Sequence, residues 1–153
     1  MRLPAVTFAL AVSILSICNA ASAAEPECYD AKVRAKPVAQ VPTVFPQEEG
    51  YIVISWPWFV DLSISKVLEG QVDQSEITVL AVLHNRYLDK TRTWLLRRNT
   101  LGMFTVLRPE NPDAVPRCNA AVALADPYLR PGAGQSLEGY RREGEERYSR
   151  FSD

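Results

Sequence analysis

One histidine, three cysteines and a cluster of aromatics are the residues from which any chemistry in this chain must be built. His84 is the only histidine. A zinc site draws three or four ligands from His, Cys and carboxylates, and a single histidine beside cysteines that pair with each other supplies no such set. As a general base, His84 needs a nucleophile held beside it, and no Gly-x-Ser-x-Gly elbow occurs in the chain. Pro131-Gly-Ala-Gly134 is rich in glycine but lacks the lysine and the following helix of a phosphate loop. Asp61 is the best single carboxylate, on the polar side of an alternating segment. These residues point to a protein without catalytic residues, cofactor or metal. A small hydrolase built on His84 is the least supported alternative.

Binding chemistry has better material. Trp56-Pro-Trp-Phe59 packs three aromatics into four positions. Such a run either forms a stacking platform or fills a core corner turned by Pro57, and strand alternation favours the core. Arg97 and Arg98, with Arg86 and Arg92, would form a basic patch near Tyr87 and Trp94. The candidate binding set is therefore Trp56, Trp58, Tyr87, Arg92, Trp94 and Arg97. A solvated hairpin edge, where charge blocks strand addition, accounts for the same arginines.

The cysteines bear on location. The chain opens with Arg2, then an apolar run over Val6–Ile17, then Ala21-Ser-Ala23. That is the layout of a secretory signal with a small-x-small cleavage site, and the run is shorter than the ~20 residues of a membrane span. Residues 1–23 are expected to be a signal peptide, which removes Cys18. Lipid attachment at Cys18 is the minor alternative, disfavoured by Ile17 at the preceding position. The retained Cys28 and Cys118 then have one possible pairing, and an oxidising compartment implies the bond. Closing so long a loop is worth about 4–5 kcal/mol in the chain-entropy model. The expected location is the periplasm or the medium.

What remains is roughly 130 residues, enough for one domain with its own core. The full chain has a formal net charge of −1, so there is no strong positive field and nucleic acid is not an expected partner. The expected partner is a protein or another exported macromolecule, with no stable membrane span after signal cleavage.

The elements that must position these residues read as mostly strand. Residues 24–50 form a proline-rich, extended lead-in, with one short strand near Ala31–Ala35. The barrel domain is placed at 51–126. Tyr51–Trp56 has strand composition, and Phe59–Ser65 alternates cleanly, with Val60, Leu62 and Ile64 on one side. The alternation slips at Lys66-Val-Leu68, as a bulge would make it. Glu69-Gly70-Gln71 is a turn, and Glu76–Leu83 is apolar enough for a strand covered on both faces. Thr93–Arg97 and Met103–Leu107 pair as a hairpin across turn chemistry at Asn99 and Gly102. The tail, 127–153, is charged. Leu137, Tyr140, Tyr148 and Phe151 share a helical face, and Gly139 and Gly144 weaken it. A frayed, solvated helix is favoured there over one docked on the barrel or on a partner.

The fold class is thus mainly β: a small five-stranded OB-like barrel with a C-terminal helix or tail and one disulfide. The order Ser65-Lys-Val-Leu-Glu-Gly70, Ile77–Leu83, Trp94-Leu-Leu-Arg97, a glycine turn, Met103–Leu107 and a late Cys118 resembles netrin-like modules. These include the N-terminal domain of tissue inhibitors of metalloproteinases, and small exported bacterial proteins are similar. The resemblance covers about 70 residues and implies an OB-type barrel and, as an alternative function, a secreted protease inhibitor. Those inhibitors chelate zinc through an N-terminal cysteine. Here Glu25-Pro26-Glu27 precedes Cys28, which removes that mode unless the chain is trimmed further. The leading expectation is an exported binding domain without catalytic activity.

Overall fold

In the computed structural model, residues 27–44, 50 and 53–149 are described. The expected signal peptide, Cys18 and Phe151 lie outside them, as does Tyr51-Ile52 at the start of the expected first core strand. Five strands close into a barrel: β1 (Ala31–Pro42), β2 (Trp56–Glu69), β3 (Glu76–Leu83), β4 (Arg92–Arg98) and β5 (Phe104–Leu107). Their order around the barrel is β1-β2-β3-β5-β4, antiparallel except for β3 against β5. A 13-residue helix, α1 (Leu137–Ser149), follows.

The barrel begins earlier than the sequence suggests. The lead-in is its first strand, and β1 closes it by pairing with β2 along its length and with β4 over Ala31–Ala35. Proline removes a ladder donor, so it is tolerated only at edges and bulges. Pro37 lies just past the last β4 pair, where the β2 register slips at Val38, and Pro42 is the final strand residue.

The expected strand at 59–65 extends back through Pro57 to Trp56, and the described Val53, Ile54 and Ser55 lie outside any strand. Pro57 turns no corner. Its carbonyl accepts from the Thr43 N–H and hydroxyl, beyond the end of β1. The N and C=O of a strand residue point the same way, so its missing N–H falls where the ladder has already ended. The bulge expected at 66–68 is present: Leu68 and Ser65 are each skipped in the β1–β2 register. Such bulges bend a long strand and help a sheet close.

The interior is filled from alternating positions: Ala31, Val33 and Ala35; Val60 and Leu62; Val79, Ala81 and Leu83; Trp94 and Leu96; Val106. The small residues on β1 leave room for the large ones across from them. Trp94 donates its indole N–H to the Ala35 carbonyl at 2.9 Å, which satisfies the one polar atom it buries.

Two devices cover the outside. After β5, the chain returns across β4: Ala125 donates to the Arg98 carbonyl, and Thr100 donates to that of Ala125. This strap is fixed by the Cys28–Cys118 disulfide and by the Cys118 N–H on the Tyr29 carbonyl. Helix α1 covers the other outer face. Arg141 grips Asp61 with two hydrogen bonds, of 2.7 and 2.6 Å, and Thr78 donates to the same carboxylate. The expected solvated tail is therefore a docked helix. Arg141, which is not in the predicted apolar stripe, fastens it. Gly144, read as an interruption, is its closest approach: a Cβ there would lie 2.3 Å from the Pro42 carbonyl oxygen.

Candidate functional site

Tyr87, Arg92 and Trp94 come together as the sequence suggests. Trp94 belongs to β4 and points inward, 3 % exposed. Arg92 is the first residue of the same strand, so it lies on the same side two positions away. Tyr87 comes from the connection between β3 and β4, a polar stretch that one side chain pins in place. Gln40 of β1 donates to the Tyr87 carbonyl at 3.0 Å and accepts from the Tyr87 N–H at 2.6 Å. With its backbone clamped, Tyr87 sets its ring edge-on to Trp94, centroids 4.7 Å apart. The Arg92 guanidinium lies over both rings, 4.8 Å from the Tyr87 centroid and 5.3 Å from that of Trp94.

These residues line one wall of a cleft of about 350 Å³. Val106, Arg108, Pro109 and Pro112, where the chain leaves β5, complete its lining. Arg108 was not singled out in the sequence, although the hairpin carries the signal. Leu95 pairs with Leu107, so the next antiparallel step sets Arg108 beside Trp94.

The electrostatics are one-sided. Among the described residues, neither Arg92 nor Arg108 forms an ion pair with a carboxylate; each donates to a backbone carbonyl, of Leu88 and Val82 respectively. The Tyr87 hydroxyl oxygen is buried against the core, closed to solvent, and has no hydrogen-bond partner among the described residues. Burial pushes its phenol above the ordinary value, with Arg108 and then Arg92 pulling the other way. It is a neutral donor throughout the physiological range. The arrangement offers an anion two cations, Arg92 and Arg108, on the lining of one recess.

The other expected site residues lie elsewhere. Arg97 is a correction: it is 5 % exposed, under the strap, with a 2.7 Å ion pair to Asp30 and a hydrogen bond to the Ala123 carbonyl. Strand alternation sends Arg97 to the face opposite Trp94, and the strap, invisible in local pattern, buries that face. Arg98 lies over the Phe104 ring, and Arg86 is exposed. Trp56 and Trp58 share the inward side of β2, centroids 5.8 Å apart and tilted by 35°. Trp58 packs against the core and both are half-buried, so they form no open stacking face.

His84 is exposed, its Nδ1 2.5 Å from the Ile54 carbonyl oxygen. Among the described residues no group of three His, Cys, Asp or Glu side chains is placed to hold a metal, and no helix is long and apolar enough to cross a membrane. A second recess, on the outer side of α1 around Ser136, Tyr140, Arg142, Glu143 and Glu146, is of mixed charge. Compared with known protein families, curated proteins and solved structures, the chain matches none.

Proposed function

We propose that this is an exported, non-catalytic binding domain, built on an OB-type barrel, that holds another exported macromolecule in the Tyr87–Arg92–Trp94–Arg108 cleft. The OB assignment is supported by the strand order β1-β2-β3-β5-β4 with its single parallel pair, β3 with β5. Export is supported by the Cys28–Cys118 bond, which suits an oxidising compartment, together with the signal-like start of the sequence. The binding reading rests on one observation: two arginines without acidic partners among the described residues line one recess. Tissue-inhibitor-like chelation by an N-terminal cysteine is not part of this proposal.

The test compares what is retained from periplasm or culture medium by the chain without residues 1–23 and by its Arg92→Gln/Arg108→Gln variant. The same partner should be captured by the first and lost by the second. Equal retention by the two proteins would remove the cleft as the binding site.

A further inference from the structure

The outer wall of the barrel carries an apolar strip of its own. Phe59 and Leu80 are 2 % and 1 % exposed, yet neither faces the interior. They alternate with Val60 and Val79, which do. Val41, Phe59 and Leu80 form one row across β1, β2 and β3. Asp61 and Thr78 lie two residues along from Phe59 and Leu80 and face the same way. Arg141 of α1 hydrogen-bonds to both, and Gly144, one turn on, sits against Val41 and Pro42. The strip therefore lies on the face that α1 covers.

The helix is held there lightly. Seven of its thirteen residues are charged and two are glycine, a composition that makes a helix of this length marginal on its own. Among its described residues only Gly144 is buried; Leu137, Tyr140 and Tyr148, at the same helical spacing, are half-buried. The Arg141–Asp61 pair is bidentate, but both side chains remain partly exposed. The connector does not tie the helix down. Hydrogen bonds of residues 126–136 run within that segment or into the first turn of α1.

We propose that α1 is a releasable lid: it lifts as a unit while the five strands stay closed, the Arg141–Asp61 pair is its latch, and its release uncovers the Val41–Phe59–Leu80 strip. Elements with few buried apolar contacts are the ones that open below the free energy of global unfolding. Salt should favour the open form, because it screens the latch. The lid does not depend on the binding reading of the cleft.

The test places one cysteine at a time on either side of β3 in the disulfide-bonded protein. Leu80→Cys puts a thiol under α1, and Val79→Cys puts one in the core. A thiol reagent labels each only when its own cover opens. Leu80→Cys should be labelled at least about tenfold faster than Val79→Cys. Adding Arg141→Gln should speed the first by about a further tenfold and leave the second unchanged. Raised salt should act in the same direction, and less so once Arg141 is gone. In the chain with neither cysteine, the amides of Glu143–Tyr148 should exchange hydrogen faster than those of Phe59–Leu62, at a rate insensitive to low denaturant. That exchange measurement decides the matter if a cysteine variant fails to fold. Equal labelling of the two thiols overturns the inference, as do helix amides that exchange only in step with β2. Either result would mean that α1 leaves the barrel only when the whole molecule unfolds.

Discussion

At the scale of single residues, polar side chains organise the loops that the site depends on. Asn99 is fully buried, and its side chain and N–H make four hydrogen bonds. Its amide donates to the Thr105 hydroxyl, its side-chain carbonyl accepts from the Leu101 and Met103 N–H groups, and its own N–H donates to the Met103 carbonyl. The turn it shapes fixes the β4–β5 register, and that register sets Arg108 beside Trp94. Replacing Asn99 with Ala strips two backbone donors and a hydroxyl of their partners in a dry site, so a loss of about 2–4 kcal/mol is expected. Chemical denaturation of Asn99→Ala measures it, and a shift below 1 kcal/mol would mean that water replaces the amide. Gln40 does for the Tyr87 backbone what Asn99 does for the turn. Neither role was legible in the sequence beyond the turn chemistry at Asn99, since a clamp between residues 40 and 87 leaves no local periodicity.

At the scale of elements, local pattern served well where a strand had one wet face. The alternation in β2, its bulge and the β4–β5 hairpin were all readable. It failed where a neighbour changed the meaning of a residue. The prolines of β1 read as breaks because the edge and bulge positions that accept them are set by β2 and β4. Gly144 read as a flaw in a helix, yet it lets α1 settle against Val41 and Pro42. The Asp61 carboxyl, held below the usual carboxylate range chiefly by the Arg141 hydrogen bonds, is the other anchor of that docking.

Gly144→Ala therefore separates propensity from packing. In an isolated 135–149 peptide it should raise helicity, by roughly 1 kcal/mol of propensity. In the whole protein the new methyl meets the Pro42 carbonyl, and the helix must shift or lift away. Circular dichroism of the peptide and thermal unfolding of the protein should move in opposite directions. Parallel gains in both would show that α1 is not seated on the barrel.

At the scale of the whole molecule, the sequence showed the fold class and the disulfide more fully than the site. Two cysteines after the signal-like segment allow only one bond, and the bond is present. Half of the expected binding set, Tyr87, Arg92 and Trp94, converges on one cleft; Trp56 and Trp58 line the inner side of β2, and Arg97 is buried under the strap. The difference is one of distance along the chain. Arg97 is paired to Asp30, 67 residues away, and no window of strand pattern spans that. Replacing Cys28 and Cys118 together with serine should cost stability, by up to about 4–5 kcal/mol, while leaving the cleft in place. Denaturant unfolding checks the first expectation, and partner capture by the folded fraction the second.

The position of that bond has one more consequence. All five strands lie between Cys28 and Cys118, so the barrel is a covalent ring threaded through its own sheet. A protease that cuts the exposed stretch around Leu88 cannot release either piece. The severed halves stay joined through sulfur, and β1 stays wedged between β2 on one fragment and β4 on the other. A nicked molecule should run as one band on a non-reducing gel and as two after reduction. A first cut there thus leaves the architecture, and the cleft, still held together.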